Sequence, residues 1–251
     1  MSDLAAFAYV VRLGDDRLVL GHRVSEWCGH GPILEEDIAL ANVALDLIGE
    51  ATLLLKLAGR LEGAGRNEDA LAYFRDGLDY RNALLVELPI GDFAFTIVRQ
   101  LLFSVFSLLQ MDALQRSTNA ELAGIAAKAV KEARYHVRHA GQWVVTLGDG
   151  TDESHARAQQ AVDDLWRYTG ELFLADAIDR EAVASGLGVD PGTLADPWRE
   201  QIEDVLRRAT LTIPNVGYMQ RGGREGRHTE HLGHMLAEMQ IVARSHPGAT
   251  W

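Results

Sequence analysis

The sequence predicts an all-α fold, a bundle of long helices joined by short connections. Three observations carry this. Six prolines in 251 residues leave long stretches with nothing to break a helix. Apolar residues recur at helical spacing, most clearly from Glu121 to Leu147. No segment combines apolar alternation with flanking hairpin signals over more than a few positions. One domain over 1–251 is expected, large enough to bury a substantial core.

The elements follow from their stop and start signals. "DDRLVLGHRVSEWCGHGP" opens on Asp15 and Asp16, which can cap a first helix, and closes on a Gly-His-Gly-Pro stop. A long second helix is expected from Leu34 to Leu61, and a third from Glu68 to Glu87, ending before "LPIGD". Asp92 caps an apolar fourth helix. "STNAEL" is the capping turn into a fifth, which stops at "GDGTD". A sixth runs from Ser154 towards Ala184, and "DPGTLADPWREQIEDVLRRA" reads as a turn with a seventh. After the glycine-rich loop "TIPNVGYMQRGGREGR", "HTEHLGHMLAEMQIVARS" forms the last helix.

Bulk properties narrow the function classes. A formal charge of −12 argues against non-specific binding to nucleic acid or anionic membrane, and fits a cytoplasmic protein or one that docks on a basic partner. The single cysteine, Cys28, excludes an internal disulfide framework and fits a reducing compartment. "MSDLAAFAYVVRLGDD" lacks the basic start and apolar run of a signal peptide. In "FAFTIVRQLLFSVFSLL", Arg99, Gln100 and the serines favour a buried helix over a membrane span.

Winding the fifth helix at about 100° per residue puts Leu122, Ala126, Ala129, Ala133, His136 and Ala140 in one apolar arc. Lys128, Lys131, Arg134, Tyr135, Arg138 and Gln142 fall opposite. His136 therefore faces the core. Bundles that hold two metal ions use Glu-x-x-His on each of two helices plus a Glu from each of two more. The register here needs Glu at 133, where alanine stands, while Glu132 lies at the border of the arc. His136 then reads as a core histidine satisfied by a carbonyl or carboxylate, with metal ligation the alternative. On the second helix, Glu35, Asn42, Asp46, Gly49, Glu50, Lys56 and Arg60 cluster on one side, the pattern of a solvated face, and Asp46 is the candidate inward carboxylate. Glu26, near the end of the first helix, is equally ambiguous.

Other motifs are weaker. Glu-x-x-His occurs at Glu225 and His228, inside a loop. His228, His231 and His234 cannot all meet one ion on a regular helix, since His234 points away from the apolar side. "RGGREGR" could hold a phosphate, such as one of CoA, through backbone N–H groups and Arg221, Arg224 and Arg227, but reads first as a helix lead-in. There is no nucleotide-binding glycine loop and no serine or cysteine nucleophile motif.

"RLGDDRLVLGHRVSEWCGHGPILEEDIALANVALDLIGEA", "KEARYHVRHAGQWVVTLGDGT" and "GGREGRHTEHLGHMLAEMQ" closely resemble the family of structural C components of the bacterial phenylacetyl-CoA 1,2-epoxidase, a multicomponent monooxygenase of aerobic phenylacetate breakdown. The resemblance runs over essentially the whole chain. It implies a ferritin-like bundle of long helices with additional C-terminal helices. It also implies a related catalytic A component carrying a di-iron centre, a separate reductase, and a structural role for this chain. By the same resemblance Glu26 matches the first ligand position. The two Glu-x-x-His pairs of the catalytic relative fall on Asp46-Leu-Ile-Gly49 and Ala133-Arg-Tyr-His136, each broken. The fourth helix offers only Asp92 at its cap and Asp112 near its end.

Two ferrous ions bring four positive charges, which an intact set of four carboxylates offsets. With at most Glu26, Asp46 and one histidine left, no metal is expected in this chain, and the di-iron centre belongs to the partner. The leading expectation is a non-catalytic structural subunit. The alternatives are an independent metal-dependent oxidase or hydroxylase using Glu26, Asp46, His136 and Glu132, and a CoA-binding module built on the three loop arginines. Which face meets the partner, and whether the chain is also a homodimer, is left open by the sequence.

Overall fold

A computed structural model of the chain describes residues 3–249, and within them every regular element is helical. Four long helices form the frame: α1 (Asp3–Ser25), α2 (Leu34–Glu62), α5 (Phe93–Leu114) and α6 (Ala120–Gly148). α1 packs along α2, and α5 along α6, each pair joined by a connection short enough to make the partners antiparallel. α2 then meets α6, closing the bundle. Between the pairs lie α3 (Glu68–Tyr73) and α4 (Leu84–Glu87). α7 (Asp152–Trp166) and α9 (Ala195–Arg208) cover α5 and α6, α8 (Ala177–Ala184) lies on α1, and α10 (Glu230–Ser245) lies on α3. The buried apolar side chains form one continuous core through these helices.

Local chemistry sets most boundaries as expected. Asp92 accepts from the Phe95 N–H at 2.9 Å, and Asn119 from the Glu121 and Leu122 N–H groups at 3.0 Å. α2 stops at Gly63, whose φ of 71° gives the left-handed C-cap.

Three expectations fail, each for a long-range reason. Asp15 and Asp16 do not cap the first helix. It starts at Asp3, and both carboxylates sit fully buried in its middle, ion-paired to Arg75 and Arg224. The expected helix 68–87 breaks because Arg75 turns inward to Asp15, leaving α3, a short turn and α4. The expected helix from Ser154 to Ala184 breaks after Trp166, where Glu171 is drawn in to accept from the Leu84 and Gly222 N–H groups at 2.8 Å. Asp176 then caps α8.

α2 and α5 are both long and apolar enough to cross a membrane. More than three quarters of the most apolar stretch of α5 is buried in the bundle; for α2, the more hydrophobic of the two, less than half is.

Candidate functional site

Histidine–carboxylate pairs line the seam between α2 and α6. His136 Nε2 lies 3.0 Å from Asp46 Oδ2, and His139 Nε2 lies 2.8 Å from Glu36 Oε2. An ionised carboxylate only accepts, so each imidazole donates from Nε2. Both rings are buried, and Asp46 is partly open to solvent. Tyr135 stacks on His139 with ring centres 5.9 Å apart. The core-histidine reading of His136 thus has its carboxylate. The sequence reading misses the second pair, although His139 follows His136 by three residues and so borders the same arc. Glu36 and His139 open onto a cleft of about 540 Å³ with Trp143 and Arg208 on its walls.

Behind the seam, at the centre of the bundle, lies Arg17 of α1, fully buried. Its Nε donates to Glu50 Oε2 at 2.8 Å, its Nη1 to the Leu13 carbonyl at 3.0 Å, and its Nη2 to Ser107 Oγ and Gln110 Oε1 at 3.0 and 3.2 Å. One guanidinium therefore ties α1 to α2 and α5. Burial pushes the Glu50 carboxyl up, Arg17 opposes that shift, and the nearby Glu132 adds to it. Contrary to the reading of 35, 42, 46, 49, 50, 56 and 60 as one solvated face, Glu50 points inward.

Of the residues offered as metal positions, Asp46 and His136 meet, but among the described residues the others do not join them in a metal-holding group. Glu26 lies just past the end of α1, exposed, and pairs with Arg23 Nη1 at 2.7 Å. Close behind is Arg99, wholly buried, whose guanidinium burial and the neighbouring Arg23 charge lower to about 9, with Glu26 opposing. The Arg23 guanidinium on that carboxylate, with Arg99 in electrostatic reach, opposes a metal ion there. Gly49 does not face the interior either; a side chain there would enter open space, with no atom within 4 Å of its Cβ. Ala133 is buried and offers no donor. Glu132 gives one oxygen to Lys128 at 3.1 Å, while its Oε2 is buried without a protein partner. Among the described residues no three His, Cys, Asp or Glu side chains form a metal-holding group. A binuclear centre needs carboxylates and imidazoles around a shared point; here Glu50 is committed to a guanidinium and Asp46 to His136. The donor set does not fit.

The glycine loop is likewise already engaged. Arg224 is largely buried, with Nη1 and Nη2 on Asp16 at 3.0 and 2.7 Å. The N–H groups of Gly222 and Arg224 point at the Glu171 carboxylate, an anion supplied by the chain itself. Arg227 pairs with Glu225, and Arg221 is exposed. The three arginines therefore do not form one phosphate cradle. His228 precedes α10 and bonds Glu87 at 2.7 Å, and His234 is exposed, so the histidines of this segment stay apart.

Four long helices closed around a polar centre, with histidine–carboxylate pairs along one seam, define a ferritin-like helical protein. The chain belongs to the family described as phenylacetic acid catabolic protein, which it matches over residues 1–251. It is 48% identical over 244 residues to the C component of the 1,2-phenylacetyl-CoA epoxidase of Escherichia coli (strain K12), an alignment spanning 97% of this chain and 98% of that protein.

Proposed function

We propose that this chain is the structural, non-catalytic component of a phenylacetyl-CoA 1,2-epoxidase that works in aerobic phenylacetate breakdown in the cytoplasm. It pairs with the di-iron catalytic subunit and holds no metal itself. In the complex, one atom of dioxygen enters the aromatic ring of phenylacetyl-CoA and the other leaves as water. A reductase component supplies the two electrons, and two protons from solvent complete the water. The name and coverage of the Escherichia coli relative support the assignment to an epoxidase component.

The observation that carries the structural role is the Arg17–Glu50 pair at the centre of the bundle. A fixed guanidinium places a positive charge at the centre of the bundle, and it consumes Glu50, the most deeply buried carboxylate of α2. Co-purification with the di-iron subunit, followed by iron quantification in each polypeptide, tests the reading. Iron should track the partner and turnover should require both chains. Stoichiometric iron in this chain with dioxygen-dependent turnover by it alone would instead establish the independent oxidase.

A further inference from the structure

α2 presents to solvent a row that belongs in a core. Leu34, Ile38 and Leu45 are 72%, 53% and 67% exposed, and Ala41 and Gly49 continue the same helical face. The row explains why the more hydrophobic of the two apolar helices is the less buried. Contiguous exposed apolar surface of this kind marks a binding site. Gly49 and Ala41 leave the backbone open to close approach, since nothing lies within 4 Å of a Cβ at Gly49.

Beside this row runs a cationic edge. The seam pairs bring α6 alongside α2, and on α6 Tyr135 stacks on the seam residue His139 with the Arg138 guanidinium 5.5 Å from its ring centre. Lys131, Arg134 and Arg138 are exposed, and among the described residues neither Lys131 nor Arg134 meets a carboxylate. In a chain of net charge −12 this is a local inversion of sign. From Leu34 to Thr52 the surface is roughly 27 Å long and, two helices wide, about 20 Å across. That footprint, roughly 540 Å², is about two thirds of the ~800 Å² per partner of a standard stable interface, so neighbouring elements complete the contact.

We infer that the outward face of α2, with the cationic edge of α6, is the surface on which the di-iron subunit docks, through an apolar helical face edged by carboxylates. The identity of the partner rests on the function proposed above; the location of the surface rests on the burial and charge pattern. A second copy fits less well. A two-fold contact pairs the face with itself, yet Asp46 is taken by His136, Asp37 by the Gly31 N–H and Glu132 by Lys128, which leaves the exposed Glu35 to meet three cations. A membrane fits less well because Asn42, Asp46, Thr52 and Lys56 interrupt the apolar row.

The test measures binding of the full chain to its di-iron partner by sedimentation and interferometry. Leu45→Glu and Ile38→Glu should weaken binding at least 30-fold, whereas Leu174→Glu, an exposed apolar site elsewhere, should change it less than threefold. Gly49→Leu separates docking from folding, because replacing a helical glycine stabilises the chain itself while blocking close approach. It should hold or raise the thermal midpoint and still weaken binding at least tenfold. Lys131→Glu with Arg138→Glu should slow association about tenfold at low salt and much less at high salt. Wild-type chain that fails to bind the di-iron partner would overturn the proposed function. Wild-type binding with the Leu45→Glu, Ile38→Glu and Gly49→Leu variants inside threefold would overturn the surface alone. Self-association, or capture on vesicles containing anionic lipid, that Leu45→Glu abolishes while partner binding survives would also overturn it.

Discussion

Arg17 and Glu50 meet at 2.8 Å in the middle of the bundle, on adjacent helices and out of reach of solvent. The pair decides how the centre of this bundle behaves. Glu50, a buried carboxylate of α2, is the counter-ion of a guanidinium that also holds Ser107 and Gln110, and so is not free to bind anything else.

Removing one partner of such a pair strands the other charge in the core. Arg17→Met should destabilise the chain by about 3–5 kcal/mol, whereas exchanging both residues for apolar ones of similar volume should recover most of that loss. Urea unfolding of Arg17→Met, Glu50→Met and the double variant gives the coupling directly. Additive losses would remove the pair from its central role.

The His136–Asp46 bond joins α6 to α2 near the surface of the seam. His136→Ala should cost roughly 1–3 kcal/mol, the range for leaving a buried polar partner unmet. Epoxidation by the assembled complex should stay within a few-fold of wild type. Complete loss of turnover from an intact assembly would place His136 in the chemistry.

What could be read from the sequence follows one physical division. α6 was legible because its burial is periodic: Leu122, Ala126, Ala129, Ala133, His136 and Ala140 lie inward as the spacing requires. Asp92 and Asn119 were legible because a cap acts within three residues. Asp15 and Asp16 were not, since their partners stand 60 and 208 residues away and make a buried helix interior look like a helix start. The faces of α2 misled for the opposite reason. Its inward side holds Glu36 and Glu50, hydrogen-bonded to His139 and Arg17, while Leu34, Ile38 and Leu45 face out. Periodicity assigns apolar residues to the core, and a helix serving a second surface breaks that rule.

Arg224 separates structure from ligand binding among the loop arginines. Arg224→Ala leaves the fully buried Asp16 without its counter-charge and should cost about 3–5 kcal/mol. Arg221→Ala and Arg227→Ala, on the surface, should stay within about 0.5 kcal/mol. None of the three should change the affinity of the assembled complex for a CoA thioester more than a few-fold, as calorimetry can check. A tenfold loss with Arg221→Ala or Arg227→Ala would restore the phosphate reading for that residue.

His228 gives the fold a pH dependence of definite sign. Burial alone would lower its pKa, but the hydrogen bond and charge of Glu87 outweigh it, helped by the Tyr80 carbonyl and the more distant Asp15, so the imidazole is raised above 6.5. The folded chain therefore holds this proton more tightly than the unfolded chain does. Its stabilising contribution is complete below about pH 6.5, the unfolded value, and is lost as pH rises through the folded one. The pair fastens the segment before α10 to α4, because Glu87 also accepts from the Thr229 N–H at 2.6 Å. His228→Gln keeps a hydrogen-bonding side chain but cannot titrate. The stability difference between wild type and His228→Gln, from urea unfolding at steps between pH 5.5 and 9, should be flat at the acid end and shrink towards the alkaline end. A difference that grows with pH would mean that the imidazole is neutral in the folded chain, and that Glu87 holds it by a hydrogen bond alone.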